Sequence, residues 1–252
     1  MAFDIPLYGP RWFNGIDCAF EIILVVTALS IWYFARKAKR LTDQPRLSTL
    51  ANAFLLIALS FLIKIVTNLS TYLKLQDLGS VFWFSQAIQV QILFALGYFL
   101  YRLLFLVALI WLVCLGLEVI DWRLRVLLVI FAAVGTFFSQ YSYIVFHLMT
   151  VVLLAYVVAI AYGHWREKKG FRTRTVAMAF LMILISQVVF LFVGWEPEMY
   201  VLGETIQLLG FAGLLYNQIT LPKIKQSMEN SMQQSNRAAK QGVKHSVKQG
   251  VR

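Results

Sequence analysis

Charge is what this sequence has least of. Asp, Glu, Lys and Arg make up 14% of its 252 residues, against 60% apolar and 15% aromatic. A soluble domain is about half apolar and about a quarter charged. The deficit, with a mean hydropathy of +0.72, excludes an ordinary soluble enzyme, a disordered chain and a coiled coil. Cysteine is nearly absent too. Cys18 and Cys114 each sit within an apolar run, where a free thiol behaves as a small hydrophobe, so neither a disulfide nor a metal site is expected. The prolines, Pro6, Pro10, Pro45, Pro197 and Pro222, fall outside every apolar run. No matched pair of interrupted segments marks the broken helices of a transporter, and the glycines within the runs are weak evidence of a break.

Catalytic signatures are missing as well. His147, His164 and His245 are far apart in sequence. There is no H-E-x-x-H, no histidine pair at i, i+4, no phosphate-cradling glycine loop and no nucleophile elbow. A haem held by two histidines would need a second one inside the membrane. The reading is therefore non-enzymatic, with no cofactor, no metal and no nucleic-acid partner.

What is there is apolar length. A crossing takes about 20 apolar residues, and seven runs qualify: about Ile16–Phe34, Thr49–Tyr72, part of Val81–Leu117, Val126–Ser139 or slightly more, Tyr143–Gly163, Val176–Gly194 and Met199–Ile219. The third region is too long for one span and too short for two, so its first part is expected as a helical extension or an interfacial segment. The fold class is all-α, a bundle of seven transmembrane helices over 1–221 followed by a basic tail, 222–252. Nineteen of the 23 Lys and Arg residues fall on one side of these spans, and only Arg11 and Lys74 on the other. The positive-inside rule then puts the N-terminus outside and the C-terminus in the cytoplasm, with the cell membrane as the expected location. Trp12, Tyr72, Trp83, Tyr141, Tyr143, Trp195 and Tyr200 are expected at the outer interface. The segment before Ile16 lacks a basic start and is read as no signal peptide, which leaves the first span as a retained anchor.

Ionisable groups inside spans are costly and signal function or pairing. Here they are Glu21, Lys64, Arg102, His147 and Glu204, joined by Gln187 and Gln207. Counted along the spans, all seven lie in the outer half, while the inner half is apolar and aromatic. A conducting path would need polar groups at every depth. Two readings stay open: structural ion pairs that fix helix order, or an outward-facing pocket for a ligand. Glu204 is expected to meet Lys64 or Arg102. In the fifth span, Ala155, Ala159 and Gly163 form a small-residue series that is expected to mark close helix packing.

The segments Tyr143–Thr150 (YIVFHLMT) and Tyr200–Phe211 (YVLGETIQLLGF) resemble the seven-helix sensing region of some bacterial and archaeal histidine kinases, and also uncharacterised archaeal multispan membrane proteins. The resemblance implies sensing, or assembly with a separate effector. It brings no output activity, because the sequence contains no kinase, cyclase or phosphodiesterase segment. Microbial rhodopsins share the helix count and orientation, but the last span has no lysine to hold a retinal.

The functional expectation is a sensor or receptor-like protein with an outward-facing polar pocket. The alternatives are a structural or accessory subunit of a membrane complex and, third, a small-solute transporter. Membrane lipids are the expected partners, together with a protein in the membrane or cytoplasm. In the tail, Lys240, Lys244, Lys248 and Arg252 recur every four residues beside Val243, Val247 and Val251. As a helix this is a surface-binding segment for anionic inner-leaflet lipid. Gly242 and Gly250 weaken that helix and leave a solvated tail as the other reading.

Overall fold

The computed structural model describes residues 9–13, 15–77, 84–119, 121–139 and 143–219, with side chains left undescribed at 11 and within 72–91. Contacts divide the chain into Met1–Leu215 and Tyr216–Arg252. Of the second unit only the end of its helix is described, and the tail lies outside the described residues.

A short 3-10 turn, Arg11–Phe13, precedes six helices: α1 (Ile16–Thr42), α2 (Pro45–Asp77), α3 (Phe84–Gly116), α4 (Trp122–Ser139), α5 (Tyr143–Lys168) and α6 (Phe171–Phe190). A seventh, α7, covers Glu198–Ile219. All seven contain a stretch long and apolar enough to cross a bilayer, so the chain has the make-up of an all-helical, multi-pass membrane protein. In α3 that stretch is Ile92–Gly116, and the residues before it continue the same helix as an extension.

Several boundaries differ from the sequence expectation. Pro45 opens α2 rather than preceding it, which suits a residue whose missing N–H is no loss in a first helical turn. α1 continues through Arg36–Arg40 to Thr42, since long basic side chains can reach back to the interface while the backbone stays helical. The sixth helix stops at Phe190, not Gly194. Beyond it, Leu191, Phe192 and Val193 donate to carbonyls three residues back, at 3.1, 3.0 and 3.3 Å, the tightened pattern of a helix that is ending.

The connections at the basic end are short and share one device. Asp43 (φ 50°), Glu118 (φ 56°) and Lys169 (φ 45°) each close a helix in the left-handed conformation. The amides of Asp43 and Lys169 return to the carbonyls of Lys39 and Trp165 at 2.8 Å, satisfying acceptors a helix end would leave open.

Packing joins α2 to α1 and α3, α3 to α4 and α5, and α5 to α6. α7 lies close against α6. A Cβ on Gly210 would come within 2.6 Å of the Ile183 side chain and 2.9 Å of the Ala179 carbonyl oxygen, so the two backbones approach to a distance only glycine allows. Phe61 sits at the centre of the core, fully buried, with edge contacts to Phe105 at 5.8 Å and Phe211 at 6.0 Å between ring centroids. Ser60, Thr136, Thr150 and Ser186 are buried without cost because each hydroxyl donates to a carbonyl three or four residues back.

One expectation fails. Ala155 and Ala159 are exposed, and a Cβ on Gly163 would meet nothing within 4 Å. Small spacing permits close packing but does not supply a partner; α5 turns Phe146, Thr150, Leu154 and Val157 inward instead.

Candidate functional site

The polar residues inside the helices gather into one layer. Lys64, from α2, is its centre: its Nζ lies 2.7 Å from Glu21 Oε1 of α1 and 2.8 Å from Glu204 Oε1 of α7. It also donates to the Tyr200 hydroxyl at 3.3 Å. Exposure of Glu21, Lys64 and Glu204 is 0%, 5% and 1%, so these charges are taken out of solvent and are held by one another. Two carboxylates thus face one ammonium. The second oxygen of each, Glu21 Oε2 and Glu204 Oε2, is buried and has no hydrogen-bond partner among the described residues, although a buried acceptor is ordinarily satisfied.

The pairing expected of Glu204 is made with Lys64. Arg102 does something else. Its Nη1 donates to the backbone carbonyl of Ser139, the last residue of α4, at 2.5 Å. Its guanidinium lies 5.4 Å from the Phe146 ring and 5.9 Å from the Tyr98 ring. Positive charge is favoured at a helix C-terminus, so Arg102 acts as a side-chain cap for α4, held by aromatic faces.

His147 belongs to a second, neutral chain of hydrogen bonds. Its Nδ1 is 2.8 Å from Gln187 Oε1, and Gln187 Nε2 donates to Gln207 Oε1 at 3.2 Å. This ties α5, α6 and α7 together. Tyr143 and Phe190 stack beside the imidazole at 4.2 and 5.0 Å between centroids.

All seven residues singled out from the sequence therefore lie in this layer. Further side chains join it. Asp17 and Asn68 are both buried; Asn68 Nδ2 donates to Asp17 at 3.4 Å, and Asn68 Oδ1 accepts from the Tyr98 hydroxyl at 2.9 Å. Tyr200, expected near the outer end of its span and on the bundle-facing side with Glu204, Gln207 and Phe211, is 7% exposed and turned onto Lys64, and the other three are buried with it. A signal for them was present. Asp17–Glu21, Lys64–Asn68, Tyr98–Arg102, Tyr143–His147 and Tyr200–Glu204 are all i, i+4 pairs, which a helix sets on one face.

Lys64, Arg102, His147, Glu204 and four tyrosines (Tyr98, Tyr101, Tyr143, Tyr200) line a single cavity together with Phe146 and Phe190. Its room for water centres is about 20 Å³. That holds one water-sized occupant, since about 10–15 Å³ suffices for a water, and it is far below the 300–1,000 Å³ or so of a drug-sized pocket. Among the described residues no three His, Cys, Asp or Glu side chains group as a metal site. Compared with family models, curated proteins and solved structures, the chain matches none.

Proposed function

We propose that the chain is a non-enzymatic sensor or receptor-like membrane protein, with the layer around Lys64 as its responsive element, opening toward the outside. The observation that carries this reading is Glu204: a buried carboxylate on a cavity wall, one oxygen on Lys64 and the other without a hydrogen-bond partner among the described residues. Two carboxylates against one ammonium leave an excess of negative charge and of acceptors. A ligand that answers both is small and brings hydrogen-bond donors or positive charge. A bare ammonium-sized cation, which donates hydrogen bonds and is no larger than a water, fits that description. Binding there would tighten α7 against α2 or release it, because Lys64 is the link between them.

Thermal unfolding of the purified chain in ammonium chloride, against tetramethylammonium chloride at equal ionic strength, tests the reading. Stabilisation by ammonium alone supports it, since a ligand at 100 times its Kd contributes about 2.7 kcal/mol. Equal midpoints in the two salts count against it.

A second reading, a structural or accessory subunit, is supported by the same salt bridges in another light. Lys64 joins α1, α2 and α7, as a clamp that fixes helix order would. Co-purification with a stoichiometric partner, together with no response to any small cation, would favour it.

A further inference from the structure

At the opposite, basic end of the helices lies a larger hollow, with about 350 Å³ of room for water centres, between the starts of α2 and α4 and the last turns of α3. Its volume is in the range of small-molecule sites. One wall is polar: Thr49, Asn52 and Arg125. The Asn52 and Thr49 side chains make no hydrogen bond among the described residues, and Arg125 spends only Nε and one Nη on the Val119 carbonyl. The other wall is apolar, built by Trp111, Val129 and Ile130, with Ile130 53% exposed to the surroundings. The hollow is therefore amphipathic and opens sideways along α4.

Depth and charge choose the occupant. α4 has 18 residues, about 27 Å of helix at 1.5 Å each, which barely covers a hydrocarbon core of about 30 Å. Its first turn, with Trp122 and Arg125, is thereby held at the level of lipid headgroups. The acids nearby are already engaged: Glu118 pairs with Arg46 at 2.8 Å, and Asp121 accepts from the Arg123 amide at 2.9 Å. That amide bond leaves the Asp121 charge in place against Arg123 and Arg125, so the mouth of the groove keeps one net positive charge, with Arg125 on its wall. We propose that this groove binds an anionic phospholipid, its phosphate on Arg125, its glycerol and ester oxygens on Asn52 and Thr49, and one acyl chain along Val129 and Ile130. The site is separate from the Lys64 layer and does not depend on the function proposed for it.

Native mass spectrometry of the full chain in detergent, titrated with phosphatidylglycerol, phosphatidylcholine or glycerol 3-phosphate, tests this. The wild type should retain phosphatidylglycerol in preference to phosphatidylcholine. Arg125→Gln should weaken phosphatidylglycerol about fivefold, and Val129→Trp, which fills the groove, should weaken it at least as much. The basic tail is present in every arm, so its own attraction to lipid does not distinguish the variants. If Arg125→Gln fails to fold, Val129→Trp decides. Equal retention of both lipids, displacement by glycerol 3-phosphate alone, or wild-type affinity in the folded variants would overturn the proposal.

Discussion

Lys64 stands between two carboxylates, and that changes which substitutions should matter. Removing the lysine leaves Glu21 and Glu204 buried beside each other without a cation, so Lys64→Met should cost about 3–5 kcal/mol, the usual penalty for an uncompensated buried charge. Chemical unfolding in detergent reads this directly; a loss below 1 kcal/mol would mean that the pair energy lies elsewhere. A smaller test sits at the basic end. Lys169 holds φ 45°, a conformation that costs a non-glycine residue roughly 1–2 kcal/mol. Lys169→Gly should accordingly raise stability by about 1 kcal/mol or slightly less, and an unchanged or lower midpoint would contradict the cap assignment.

For the helices, the bilayer itself makes the sequence readable. Only long apolar segments with internally satisfied backbones can cross, so the runs beginning near Ile16, Thr49 and Tyr143 announce α1, α2 and α5. The ends were less legible, because capping geometry such as the left-handed Asp43 and the tightened turn after Phe190 depends on what each helix meets next. Partners across helices were the least legible. The sequence puts Glu204 at a depth shared by Lys64 and Arg102, but rotation about each helix axis decides between them, and α4 claims Arg102 through the Ser139 carbonyl. The Ala155–Ala159–Gly163 series misleads for the same reason: spacing defines a face without saying what lies opposite. The glycines of α7 are the converse case, with no break at Gly203, Gly210 or Gly213 and a close backbone approach instead. Gly210→Ala should cost about 1–3 kcal/mol by forcing α7 off α6. Circular dichroism melts would show it, and a neutral result would mean that the interface yields.

At the scale of the molecule, orientation and charge balance each carry a prediction. The basic connections predict that a thiol at Gln44→Cys, between α1 and α2, is shielded from impermeant maleimide in intact cells, whereas one at Glu196→Cys, between α6 and α7, is labelled. The native Cys18 and Cys114 are replaced by alanine first, and the reverse pattern would invert the topology. The central claim is that the polar layer carries one carboxylate more than its lysine needs, and that the surplus serves a ligand rather than the fold. The most direct measurement is the unfolding free energy of Glu204→Gln beside that of the Glu21→Gln, Glu204→Gln double variant. With Glu21 still 2.7 Å from Lys64, the single variant should stay within about 1 kcal/mol of wild type. The double variant, which strands Lys64, should lose about 3–5 kcal/mol. A loss of that larger size from Glu204→Gln alone would contradict the account, because Glu204 would then be holding the helices together.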